Sequence, residues 1–206
     1  MPATYTVSIA QLRAWDACKL DARVADLRTH LGRDVAEDED VPLITWADVT
    51  PVPADLVWAL AHIDRVRAVA LCADIAEAAV RLAWLPIYPG DGRPMDAASA
   101  ARSGPGAAVN AAYAAANAAY AAANAAVNAA VYAADDDAGA YAAANAAYAA
   151  AHAAYAAYAA AAATDAADDA GAYAAVNAAY AAYAAVRATD AGVDVRPTVL
   201  AAIAGP

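Results

Sequence analysis

The side chains able to do chemistry in this chain are few and scattered. Cys18 and Cys72 are its cysteines, and His30, His62 and His152 its histidines. No CxxC or HxxxH spacing joins them, so no zinc site is expected, and both cysteines fall on apolar helical faces that suit buried free thiols. Aspartates crowd at Asp135, Asp136 and Asp137 and again at Asp168 and Asp169. Such clusters could hold a divalent cation, but EF-hand spacing is missing, and solvated helix caps are the simpler expectation. "GDGRP" (90–94) reads as a turn rather than a dinucleotide fingerprint, and there is neither a GxSxG nor a P-loop. No nucleophile, base and orienting group stand at a plausible spacing. The expectation is a protein that is not an enzyme and carries no cofactor and no metal.

What recurs instead is a ladder. Asn110, Tyr113, Asn117, Tyr120 and Asn124, continued by Val127 and Val131, follow at steps of three and four with little but alanine between. Tyr141, Asn145, Tyr148, His152 and Tyr155 repeat the pattern, and Tyr173, Asn177, Tyr180 and Tyr183 repeat it again. Steps of three and four place these residues on one face of a helix. Sevenfold repeats imply helices that pack on partners with the larger residues along the seam. A buried tyrosine hydroxyl then needs an acceptor, and an asparagine one turn away or on the facing helix supplies it. Two other readings stay open. The tyrosines could face outward as a self-association or partner-binding surface, or they could line a cleft, with His152, that stacks a small aromatic ligand.

The elements that must position this ladder are legible. "DAGAYAAANAAYAA" at 137–150 recurs at 169–182 with one difference, the mark of a copied unit that stacks on its neighbours. Alanine has the highest helix propensity, so these segments are helical with little tertiary help. "DDDAG" (135–139) and "TDAADDAG" (164–171) are the natural breaks. They divide residues 107–190 into three helices of roughly 28, 25 and 18 residues joined as antiparallel hairpins. The ladder also runs through "DDDAG" in unbroken phase, so a continuous rod is the alternative.

Residues 1–103 differ in kind. Ser8 with Gln11 three residues on predicts a capping box, and Leu12, Trp15, Cys18, Val24, Leu27 and Leu31 predict one helix ended by Gly32. "VAEDEDVP" is an acidic connector, and Thr45 opens a short helical turn stopped by prolines. Residues 54–84 carry a broad apolar face that His62 and Asp64 could split into two helices. "LPIYPGDGRP" is a loop, after which Pro94 restarts a helix. "SGPG" (103–106) marks the boundary between this domain and the repeats, and residues 191–206 form a C-terminal tail.

The chain has 206 residues and a net charge of −11, with Lys19 its only lysine. That acidity repels nucleic acid and anionic lipid and favours a basic protein partner. Residues 107–134 are uncharged and long enough to span a membrane, but alanine is near neutral for insertion, asparagines oppose it and no cation flanks the stretch. No membrane span is expected. Free thiols and an N-terminus without a secretory pattern fit the cytoplasm.

The first half resembles the Imm-5-like immunity proteins, a family of bacterial and phage genomes. The likeness rests on "LRAWDACKLDARVADLRTHLG" (12–32), "WADV" (46–49), residues 54–80, and "YPGDGRPMDAASAAR" (88–102). Ala17–Cys18, Trp58 and Arg93–Pro94 match best, and the "D-RP" segment is the most specific piece. Met95 stands where the family usually has a basic residue, and some members continue into an Ala-rich tail of this style. The resemblance implies a role in neutralising a toxin.

The sequence therefore predicts an all-α protein, with a small helical N-terminal domain followed by Ala-rich antiparallel helical hairpins. Its leading function is a non-enzymatic immunity or inhibitor protein that binds a cognate toxin. The acidic run Glu37, Asp38, Glu39 and Asp40 is the candidate partner-binding surface, steering toward a basic toxin. The alternatives are a self-associating structural protein that forms an oligomer or filament, and a capture protein for a small nucleotide-like ligand.

Overall fold

The computed structural model describes residues 5–17, 19–102, 117, 119–124, 126–127, 138–165 and 170–204, with only the helical backbone of 138–140, 160–165 and 170–179. The fold is helical, with one small antiparallel pairing of β1 (Thr6–Val7) and β2 (Val41–Pro42) in the register Thr6 to Pro42 and Val7 to Val41.

The capping box forms. Ser8 Oγ accepts from the backbone N–H of Gln11, and Gln11 Oε1 accepts from the N–H of Ser8, which starts α1 (Ile9–Ala14). The single helix expected from there to Gly32 does not form. Asp16 and Lys19 take left-handed backbone angles, φ 59° and 55°, and α2 (Leu20–Leu31) restarts after the turn. The break frees Trp15 from the helix stripe, and its ring stacks on His62 instead, with centroids 4.7 Å apart. Gly32 does end α2, with φ 64° in the region where a side chain is disfavoured.

Thr45 does not open a turn. It lies inside α3 (Leu43–Val49), which starts directly after Pro42, because pairing of β2 with β1 delivers the chain there already anchored. The split at His62 and Asp64 is real: α4 (Pro53–Ile63) ends at Asp64, whose carboxylate then accepts from the N–H of Arg67 to start α5 (Arg65–Ala79). A π-helical turn, Val80–Trp84, continues α5. The following loop is fixed by Trp84 Nε1, which donates to the carbonyl of Asp91 at 2.8 Å. The Asp91 carboxylate takes the N–H of Arg93 and pairs with its guanidinium at the start of α6 (Arg93–Arg102). Arg102 pairs with Glu77 and Asp74 and holds α6 against α5.

In the Ala-rich half, residues 117, 119–124 and 126–127 are helical, followed by α7 (Ala138–Asp165) and α8 (Ala170–Asp190). Their order is antiparallel. Tyr155 meets Tyr180, His152 meets Tyr183 and Tyr148 meets Arg187, so numbers fall on α7 as they rise on α8. Likewise Tyr148 meets Asn124 while Tyr155 meets Asn117. These helices are therefore hairpins and not a rod.

The change of composition falls inside one continuous core. Helix α4 packs on α8, α5 on both α7 and α8, and α6 on α7. Leu56, Val57, Leu60, Ile75, Val80 and Trp84 from the first half meet the fully buried Ala147, Ala150, Ala154 and Ala181 of the second in a single buried cluster. The physical reason is complementary. Alanine helices bury little apolar area each but let axes approach closely, and the large side chains they lack come from α4 to α6. The thiol of Cys72 illustrates the fit: it donates to the Ala181 carbonyl at 3.5 Å, and burial pushes its pKa up to about 12.

Residues 191–206 carry a further helix, α9 (Arg196–Ile203), which packs on α3, α4 and α5. Its Arg196 donates to the carbonyls of Ala47 and Thr50, at 2.8 and 3.1 Å, where α3 ends and its backbone oxygens lack helical partners. Among the described residues no helix is long and apolar enough to cross a membrane.

Candidate functional site

Three places concentrate polar or aromatic groups, and they lie on different elements.

The acidic run follows α2 in the loop before β2. Val35 is fully buried there, and the N–H of Ala10 reaches the carbonyl of Glu37 at 2.8 Å, so the loop is tied to α1. Glu37 pairs with Arg13 at 3.4 Å, and Glu39 pairs with Arg33, whose guanidinium lowers the pKa of the Glu39 carboxyl. Asp38 and Asp40 are exposed and have no ion pair among the described residues. The run thus divides into two glutamates that hold the loop and two aspartates that face solvent.

The ladder forms a row where the Ala-rich helices meet. Tyr148 donates to Asn124 Oδ1 and Tyr155 to Asn117 Oδ1, each at 2.6 Å, so the acceptors stand on the facing helix. Tyr120 packs edge-on against Tyr148, and Tyr155 stacks on Tyr180 at 5.2 Å. His152 lies against Tyr180 and Tyr183, with its Nδ1 buried and unpartnered, and burial together with the positive charge of Arg187 lowers its pKa to about 4. Arg187, the first cation after Arg102, sits over the Tyr148 ring and donates to Asn145 at 3.3 Å.

The row is not the innermost layer. Alanines 143, 144, 146, 147, 149 and 150 are buried, while Asn145, Tyr148, His152 and Tyr155 are half-buried. Tyr120, Tyr141 and Tyr183 are 42%, 42% and 54% exposed. Alanine takes the inner positions because α4 to α6 press on that face. Asn110, Tyr113, Cys18 and the aspartates 135–137, 168 and 169 lie outside the described residues, as do the side chains of Tyr173 and Asn177. Among the described residues, no three His, Cys, Asp or Glu side chains gather as a metal ion would require.

The third place was hidden from sequence reasoning. A cavity of about 290 Å³ opens between α1, α2, α3, α4 and α8, walled by Trp15, Trp46 and Trp58 with Leu12, Leu20 and Leu56. Arg23 lines it from α2 and pairs with Asp55 from the first turn of α4, and Asp16 lies at its edge. Trp15, Trp58 and His62 form one aromatic cluster beside it, and burial lowers the pKa of His62. Trp46 is buried, its indole N–H directed to the Val7 carbonyl. Only the recurrence of tryptophan in a chain without phenylalanine pointed this way, and spacing along the sequence does not bring residues 15, 46 and 58 together.

Compared with protein-family models, with curated proteins and with solved structures, the chain shows no match.

Proposed function

We propose that this protein works by stoichiometric binding, as a non-enzymatic immunity-type inhibitor of a basic protein partner. The observation that carries the reading is the acidic loop, in which Arg13 and Arg33 hold Glu37 and Glu39 while Asp38 and Asp40 stand exposed. A loop already tied down loses little conformational freedom on docking. Its outward carboxylates, in a chain of net charge −11, steer a cationic surface toward it and raise the association rate. The resemblance of the first half to immunity proteins supports the same direction.

The test is growth rescue. Reading frames encoded beside this one are expressed alone to find any that arrest growth, then co-expressed with the full chain. The proposal expects rescue at equal expression, and expects Asp38→Asn with Asp40→Asn to weaken it in a salt-dependent way. Arrest that persists at equal expression, or rescue untouched by the double substitution, overturns it.

A second reading, self-association into an oligomer or filament, is favoured by one observation. Tyr120, Tyr141, Tyr183 and Val186 are each exposed on the Ala-rich helices. That reading expects the mass in solution to grow with concentration.

A further inference from the structure

Trp15, Trp46 and Trp58, three of the chain's four tryptophans, wall one cavity of about 290 Å³. Trp15 and Trp58 are half-buried, and their rings stand 6.2 Å apart at 75°, two planes of a corner rather than a stack. One face of Trp15 is covered by His62, stacked at 4.7 Å. Burial lowers the pKa of His62, so it is neutral at pH 7 and sets no competing charge behind that ring.

The polar groups on the wall carry a surplus of negative charge. Asp16 and Asp55 line the cavity against a single cation, Arg23. Arg23 is already matched: its Nη2 pairs with Asp55, and its Nη1 is buried out of a ligand's reach. Asp16 is exposed and has no ion pair among the described residues, with nearby Lys19 or otherwise. Its left-handed turn, φ 59°, brings Trp15, Asp16 and Ala17 together onto the cavity wall. An anion entering here would meet Asp16 and a chain of net charge −11, with no unmatched cation on the wall to hold it.

A cation is favoured by both kinds of wall. The negative face of an aromatic ring attracts positive charge, indole most strongly, and aromatic walls recognise quaternary ammonium groups in this way. A quaternary ammonium also has no N–H to leave unsatisfied among indole and leucine, whereas a primary ammonium is strongly hydrated and would need acceptors. We propose that this cavity binds a free small-molecule quaternary ammonium compound, its methylated head against Trp15 and Trp58 and its charge beside Asp16. The site is separate from the acidic loop, so it stands or falls independently of the protein partner.

The test is isothermal titration of the full chain with three probes of one shape: choline, 3,3-dimethylbutan-1-ol, in which carbon replaces the charged nitrogen, and 3,3-dimethylbutanoate. The proposal expects choline to bind with one-to-one stoichiometry, and the neutral alcohol and the anion to bind about tenfold more weakly or worse. Asp16→Asn is expected to weaken choline about threefold, more at low salt, and to leave the alcohol unchanged. Trp58→Leu is expected to remove most of the preference for choline over the alcohol, each variant being checked for a native melt. Should a variant fail to fold, the three-probe series on the unaltered protein still decides. Because the same head group occurs on lipids, the chain is also spun with vesicles of dioleoylphosphatidylcholine and is expected to stay in the supernatant. No binding of choline, an alcohol or anion that matches it, or pelleting with the vesicles overturns the proposal.

Discussion

Tyr155 donates its hydroxyl to Asn117 Oδ1 at 2.6 Å, across 38 residues of chain and between two antiparallel helices. Tyr148 and Asn124 repeat the bond at the same length. In a region where nearly every other residue is alanine, these pairs choose the register, because sliding one helix past the other by a turn separates donor from acceptor. Tyr155→Phe and Asn117→Ala are each expected to lower stability by about 0.5–1.5 kcal/mol. The double variant should lose less than the sum, a coupling that urea unfolding of the four chains measures.

His152 makes the fold sensitive to acid. Its pKa falls to about 4 in the folded protein through burial and the neighbouring Arg187, against an ordinary value of 6.5. The unfolded chain therefore takes up the proton first as pH drops. Stability is full above about pH 6.5, declines as pH falls toward 4, and levels off below that, a loss of up to roughly 3 kcal/mol. His152→Asn, which restores the residue usual at that step of the ladder, should flatten the His152 part of this decline in melts taken between pH 4 and 7. A variant with an unchanged slope would contradict the assignment.

Much of this architecture was open to reading from residues alone, for identifiable reasons. The Ser8 capping box, the Gly32 stop, the break at Asp64 and the Pro94 restart are local signals, and each formed as local chemistry dictates. The left-handed turn at Asp16 and Lys19 was not legible, because neither residue is a glycine and the turn is held by what Trp15 meets on α4. The β1–β2 pairing was equally hidden, being two residues on each side and fixed by partners far apart in sequence. The ladder was visible as a face, yet its depth was not. Periodicity shows which residues share a side of a helix, and only the packing of α4 to α6 decides that alanine lies innermost.

That inner alanine layer predicts an inversion of the usual rule for core substitutions. Ala147 is fully buried, so Ala147→Leu forces side chains into a close helix contact and should cost about 1–3 kcal/mol despite adding apolar volume. Ala121 is exposed, and Ala121→Leu should change stability by less than about 0.5 kcal/mol. Thermal melts of the two variants separate the cases, and equal effects would show that the alanine face is not tightly packed.

The Cys72 thiol offers a probe of the contact between the two compositional halves. Burial raises its pKa to about 12 and its Sγ reaches the Ala181 carbonyl. In a Cys18→Ser chain, a thiol reagent at pH 8 should therefore react only as fast as the protein opens, and denaturant should restore ordinary reactivity. Immediate reaction of the folded chain would mean that α5 and α8 do not pack as described.

The tyrosine–asparagine row joins helices within one molecule, through Tyr148 to Asn124 and Tyr155 to Asn117, an arrangement that fits the proposed one-to-one binding. Light scattering coupled to size exclusion, on the full chain over a hundredfold range of concentration, reads out whether the row stays within one molecule. A constant mass near the 20.6 kDa of a single chain is expected. A mass that climbs with concentration, and falls back when Tyr183 is replaced by serine, would contradict this and make the exposed tyrosine an interface between copies.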